Sequence, residues 1–152
     1  MAKISYSLIA LRVQYMVILT EHPQQKTRML IHSRHMHCKN IILILGNHDT
    51  HIRKNLRGEK DLFAHVSDYE ELNVEGIGRF VLCHYPIISW NEMRQGVTML
   101  HGHQHLKGDI KFGNGKRMDI GACGNDLRPY HLKEIMKIMN ARPVHDLADD
   151  HH

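Results

Sequence analysis

The run Ile41 to Leu45, IILIL, constrains this chain more than any other stretch. It is unbroken by a polar position and rich in isoleucine, so it reads as a short strand buried on both faces; a strand with one wet face alternates. Gly46 ends it, and Asn47, His48 and Asp49 follow at once. An amide, an imidazole and a carboxylate therefore stand at the strand's C-terminal mouth, where an α/β domain places its turns and ligands.

At 152 residues the chain suits one domain with a real core. No apolar run approaches the roughly 20 residues that cross a bilayer. Ile4 to Leu19 comes closest, but Arg12 and Gln14 interrupt it and no small-residue cleavage site follows. The expectation is a cytoplasmic protein with no membrane partner. Cys38, Cys83 and Cys123 are odd in number and widely spaced, which suits reduced thiols better than a disulfide framework. Histidine is the anomaly, at 15 residues. Imidazole is the commonest transition-metal ligand and the usual acid or base near neutral pH, so metal chemistry is the class to test first.

The net charge of +4 is unevenly spread. Residues 1 to 48 hold Lys3, Arg12, Lys26, Arg28, Arg34 and Lys39 against Glu21 alone, while the rest carries 14 basic and 15 acidic side chains. A nucleic-acid partner is weakly supported, because no basic and aromatic residues interleave as on a stacking platform. The same N-terminal third has no aspartate before Asp49 and no glycine before Gly46. Residues 1–39 thus read as an atypical segment, 40–143 as the α/β domain and 144–152 as a polar tail.

Further along, Arg79 to His84 and Val97 to Leu100 read as buried strands, running into YPIISWNE and HGHQH. Asp109 to Ile120 reads as a hairpin, with DIKF and RMDI flanking GNGK. Helical spacing of Leu132, Ile135, Met136 and Met139 predicts a helix over His131 to Asn140, ending before Arg142 and Pro143. Three strands thus end in Asn47-His48-Asp49, in His84, and in His103-Gln104-His105. Parallel strands of one sheet would deliver these loops to one edge, with Gly102 making the sharp turn. An amide oxygen, imidazoles and carboxylates suit Mn²⁺, Fe²⁺, Zn²⁺ or Ni²⁺.

GNHD at Gly46 to Asp49, CHYP at Cys83 to Pro86, HGHQH at His101 to His105 and a looser RPYHLKEI at Arg128 to Ile135 come in order. With them the chain resembles the small single-domain calcineurin-like metallophosphoesterases of bacterial and phage type, over roughly Lys39 to Pro143. The resemblance implies two facing β-sheets flanked by helices, with two metals at the strand ends. It implies that Asn47, His84 and His103 ligate the second metal and His105 the first, with manganese the leading candidate. His48 would act on the scissile phosphate as an acid or charge stabiliser, oriented by Asp49. The substrate would be a phosphomonoester or a phosphodiester. The family's Asp-x-His and Gly-Asp, whose second aspartate bridges both metals, are absent. His35 and His37 have the x+2 spacing of the first but lie too close to Ile41 to occupy a separate strand. The rival expectation is a non-catalytic metal- or ligand-binding remnant of that fold.

Taken singly, Asn47-His48-Asp49 is a polar turn, His84 a satisfied strand-end histidine and HGHQH a surface loop; order and position raise them to a site. His101 reads as a supporting residue. Cys83 alternates to the face opposite His84 and reads as a buried thiol. Tyr85 and Trp90 read as packing or as a cleft wall. Asp49, Asp119 and Asp126 are the carboxylates to consider should a second ion be held.

Overall fold

A computed structural model of the protein describes residues 7–11, 15–19, 40–54, 63–111, 113–126 and 128–144. Strand β3 (Ile41–Ile44) is buried at every position, as its sequence requires. Alternation sends Ile42 and Ile44 to one apolar cluster and Ile41 and Leu43 to another. The second cluster is capped by Phe63 and by Ile52 of α1 (Thr50–Arg53).

β3 belongs to a five-stranded sheet. Its neighbours are β2 (Tyr15–Leu19) and β4 (His65–Ser67), both parallel to it. Beyond β2 lies β1 (Ser7–Leu11), antiparallel to β2 and parallel to the edge strand β9 (Tyr130–His131). The strands before residue 40 therefore share a sheet with β3 and with the C-terminal β9.

A second, four-stranded sheet runs β5 (Tyr69–Val74), β6 (Gly78–Cys83), β7 (Thr98–His101) and β8 (Arg117–Asp119). β5 and β6 form an antiparallel hairpin, and β6, β7 and β8 are parallel. Phe80, Leu82, Leu100 and Met118 of this sheet lie in the same cluster as Ile42 and Ile44, so the two sheets share one core. The opposite face carries Val81, Cys83 and Met99, covered by Trp90 and Val97 from the β6–β7 connection. Cys83 is accordingly a buried free thiol, with its pKa pushed up by that burial. β5 alternates, with Leu72 and Val74 packed on the core and Glu71 and Asn73 exposed, as an edge strand with one wet face does.

Helix α2 (Leu132–Asn140) inserts Leu132, Ile135 and Met139 into the shared core. Its start is a capping box in which His131 is the cap: the His131 ring accepts from Lys133 N at 3.1 Å, and Glu134 accepts from His131 N at 2.7 Å. The chain is thus α/β, and among the described residues no helix is long and apolar enough to cross a membrane.

The hairpin expected over Asp109 to Ile120 does not form among the described residues. β8 pairs in parallel with β7, and residues 109–111 lie in no strand. The Ile110 amide donates to Lys107 O at 3.0 Å, closing a turn. Arg142, just past α2, donates to Gly108 O and Ile110 O, each at 3.0 Å. The guanidinium occupies carbonyls that a ladder would have used.

Ile44 tests the shared core. Ile44→Ala is expected to cost about 2–5 kcal/mol, as deletion of a fully buried aliphatic side chain does. Ile88→Ala, at a position 88% exposed, is expected to stay within about 0.5 kcal/mol. Urea unfolding midpoints measure both.

Candidate metal centre

The turn after β3 is built around a missing side chain. A Cβ on Gly46 would lie 2.8 Å from Cε1 and Nδ1 of His84, so only glycine lets that ring lie flat against the backbone here. The turn is closed by Asp49, which is buried: its Oδ2 accepts the Gly46 amide at 2.7 Å. The Asp49 carbonyl then accepts Arg53 N at 2.9 Å and opens α1.

Closing the turn turns Asn47 toward the other sheet. Asn47 Oδ1 lies 2.9 Å from His84 Nε2, at the end of β6. Asn47 Nδ2 donates to His48 Nε2 at 3.1 Å, which fixes the amide with its oxygen toward His84. From the loop after β7, His103 Nδ1 lies 3.2 Å from the same His84 Nε2. Three atoms that can each offer a lone pair are therefore packed together: a proton on His84 Nε2 would serve the Asn47 contact, and with that proton on Nδ1 instead all three would be donors to a cation. His84 Nδ1 is buried without a hydrogen-bond partner.

A divalent cation fits this set. With bonds of ~2.1 Å, adjacent donors lie roughly 3.0 Å apart at a right angle and about 3.4 Å apart at a tetrahedral angle. The observed 2.9 and 3.2 Å separations match such spacings. Electrostatics supply the required protonation state. Burial first, and then the neighbouring rings of His103, His48, His105 and His101, hold the His84 imidazole down to about 4. It is neutral near pH 7, as a metal ligand must be. Tyr85, half in solvent, sets its ring edge-on to both His84 (4.9 Å) and His103 (4.8 Å) and covers that side.

The HGHQH loop is shaped by unusual backbone. The sharp turn is made by His103 and His105, at φ 70° and 55°, while Gly102 stays out of the left-handed region. Gly102 N donates to His84 O at 3.1 Å and Gln104 N to Gly102 O at 2.8 Å. Beyond it, Gly124 sits so close that a Cβ there would fall 1.9 Å from Leu106 O. Burial holds the imidazole of His101 below its ordinary pKa, and its Nδ1 contacts Gly102 O at 3.0 Å.

The six residues singled out from sequence are not equally convergent. Asn47, His84 and His103 meet, and His48 touches Asn47. Asp49 is engaged by the backbone of its own turn. His105 is exposed, and its ring is among the neighbours that disfavour protonation of His84. Among the described residues no three His, Cys, Asp or Glu side chains stand grouped for an ion; the convergent set is one amide and two imidazoles. His35 and His37 lie outside the described residues. The loops come from two sheets rather than one, since β3 lies in the five-stranded sheet and β6 and β7 in the four-stranded one. Asp119, considered above as a carboxylate ligand, instead spends both oxygens on backbone amides, Leu106 N at 3.1 Å and Gly121 N at 2.7 Å. Arg117 went unremarked in the sequence. It lies 4.9 Å over the Trp90 ring and donates to Ile87 O and Ile88 O, each at 3.0 Å, so it shapes the loop that leaves His84. No local pattern marks it, because its partners are about thirty residues away.

Comparison of the chain with protein-family models, with curated proteins and with solved structures finds no match.

The His84 pKa sets a pH dependence. The unfolded chain takes up a proton below about pH 6.5, whereas the folded ring resists until about 4. Stability from this residue is therefore complete above about 6.5 and is lost as the pH falls toward 4. Ring ¹⁵N titration of the metal-free protein is expected to give His84 a midpoint near 4. A midpoint at the ordinary histidine value would contradict the buried, neutral ring.

Proposed function

We propose that this chain is a divalent-metal-dependent phosphoesterase of the calcineurin-like type, acting on a phosphomonoester or phosphodiester. The observation that carries the reading is the contact of Asn47 Oδ1 and His103 Nδ1 with His84 Nε2, at 2.9 and 3.2 Å, around a ring held neutral. Manganese is the leading candidate, with iron, zinc and nickel compatible with the same donors. When bound, the cation polarises a phosphoryl oxygen and favours attack by water.

The chain's own residues divide the remaining work. Asn47, His84 and His103 hold the ion, and His105 stands in the same loop for further coordination. His48 is half-buried beside Asn47 and accepts from its amide at Nε2, so a neutral His48 carries its proton on Nδ1. In that form the Nδ1–H can donate a hydrogen bond to a phosphate oxygen and stabilise its charge; general-acid action needs the imidazolium, whose Nε2–H would displace the Asn47 amide. Asp49 acts at one remove, by closing the turn that presents both. Tyr85 shields the imidazoles on one flank.

The engagement of Asp49 and Asp119 by backbone amides favours a second reading, a non-catalytic metal- or ligand-binding remnant of that fold. One set of measurements separates the two. Elemental analysis after dialysis is expected to find one firmly held divalent ion per chain. His103→Ala should lose it, and His65→Ala, at an exposed residue paired with Glu70, should not.

Hydrolysis of an aryl phosphodiester with Mn²⁺ is expected to be measurable. His48→Ala should lower it by about 10²–10⁴-fold with the ion retained. Retained metal with no turnover in the parent chain would establish the remnant instead, and two tightly held ions would refute the single-ion centre.

A further inference from the structure

We infer that Asp119 is the positioning residue of the candidate centre: it locks the His103–His105 loop in its left-handed course and thereby sets His103 Nδ1 against His84 Nε2. The inference rests on the metal-site reading given above. His103 and His105 both carry a β-carbon, yet both adopt positive φ within three residues. Such backbone persists only where its surroundings over-determine it.

The loop is tied at both ends. At its start, Gly102 N donates to His84 O at 3.1 Å and anchors the loop to the neighbouring strand end. At its finish, Leu106 N, the amide directly after His105, donates to Asp119 Oδ2 at 3.1 Å. Asp119 is the last residue of β8 and pairs in register with His101, the last residue of β7. Its carboxylate thus reaches from its own strand end to the loop leaving the strand beside it. Its other oxygen accepts Gly121 N at 2.7 Å, and the side chain is 3% exposed, so its orientation is fixed from both oxygens. The two left-handed histidines lie between these anchors, and His103 is thereby held 3.2 Å from His84.

The pairing is specific to a carboxylate. Two backbone N–H groups approach two acceptor oxygens. Asparagine offers one oxygen and one NH₂, which turns a donor toward a donor at one of the two amides. A buried amide left unsatisfied in this way is costly, and the loop end is the part free to move.

The full-length chain is compared as parent, Asp119→Asn and Met139→Ala, the last a control that removes core packing on α2 without touching the Asp119 carboxylate's bonds. Asp119→Asn is expected to shift the ring ¹⁵N resonances of His103 in the metal-free protein and to weaken Mn²⁺ binding by about 10–100-fold, the usual effect of removing a group that orients a ligand. Met139→Ala is expected to lower the unfolding midpoint while leaving both readouts unchanged. Mn²⁺ affinity of Asp119→Asn within twofold of the parent overturns the inference, as does an equal loss of affinity in Met139→Ala. Should the parent take up no Mn²⁺ by calorimetry, the metal reading fails and the metal-free resonances alone decide: a His103 shift in Asp119→Asn upholds the positioning role, and unchanged resonances overturn it.

Discussion

The imidazole of His84 lies where the two sheets come together, buried against the bare Cα of Gly46, and most of the site's geometry follows from that contact. The ring can occupy this place only because Gly46 has no side chain. Once there, its Nε2 reaches both Asn47 of the β3 turn and His103 of the β7 loop, so one residue joins three strand ends. Burial also decides its chemistry. A ring removed from water and surrounded by other imidazoles resists protonation and keeps a lone pair near neutral pH.

Two guanidinium groups, one buried and one half-buried, hold the loops around this ring. Arg117 donates to Asn114 O, Ile87 O and Ile88 O and lies over Trp90, while Trp90 Nε1 donates to Val97 O at 2.8 Å. The whole β6–β7 connection is therefore organised from its middle. Arg142 does the same for the segment after HGHQH, reaching Arg117 O, Gly108 O and Ile110 O. Burial lowers the pKa of both groups, yet each finds carbonyl oxygens rather than carboxylates. The planar, multi-donor shape of arginine suits this use, because it satisfies several divergent carbonyls at once.

What could be read from the sequence was what depends on near neighbours. The unbroken run of Ile41 to Leu45 and the apolar stretches before His84 and HGHQH announce buried strands, and the spacing of Leu132, Ile135 and Met139 announces α2. The order of strand-end polar residues likewise picked out Asn47, His84 and His103, which do meet. Sheet membership was not legible: nothing local tells β3 that its partners are β2 and β4 rather than β6. The false hairpin has a similar origin, since turn chemistry at GNGK argued for it while Arg142, some thirty residues on, took the carbonyls. The left-handed course of His103 and His105 was hidden for the same reason. Gly102 was the local candidate for a sharp turn, but the conformation is enforced from β8, by Asp119.

The donor set itself has an electrostatic consequence. An amide oxygen and two neutral imidazoles contribute no charge, unlike a site with a bridging carboxylate. A divalent cation held by Asn47, His84 and His103 would keep both of its positive charges, and the buried carboxylates of Asp49 and Asp119 are already turned to backbone amides. Uncompensated charge of this kind draws in an anion from solution, and a phosphate oxygen is a hard, charged ligand well suited to a manganese-like ion. With no opposite charge among the ligands, retention of such an ion would rest on the lone pairs of the amide and the two imidazoles, each of which would have to stay unprotonated. Attraction for phosphate would thus arise from the neutral ligand set, and the burial that keeps His84 unprotonated would be what leaves such a site able to bind a cation.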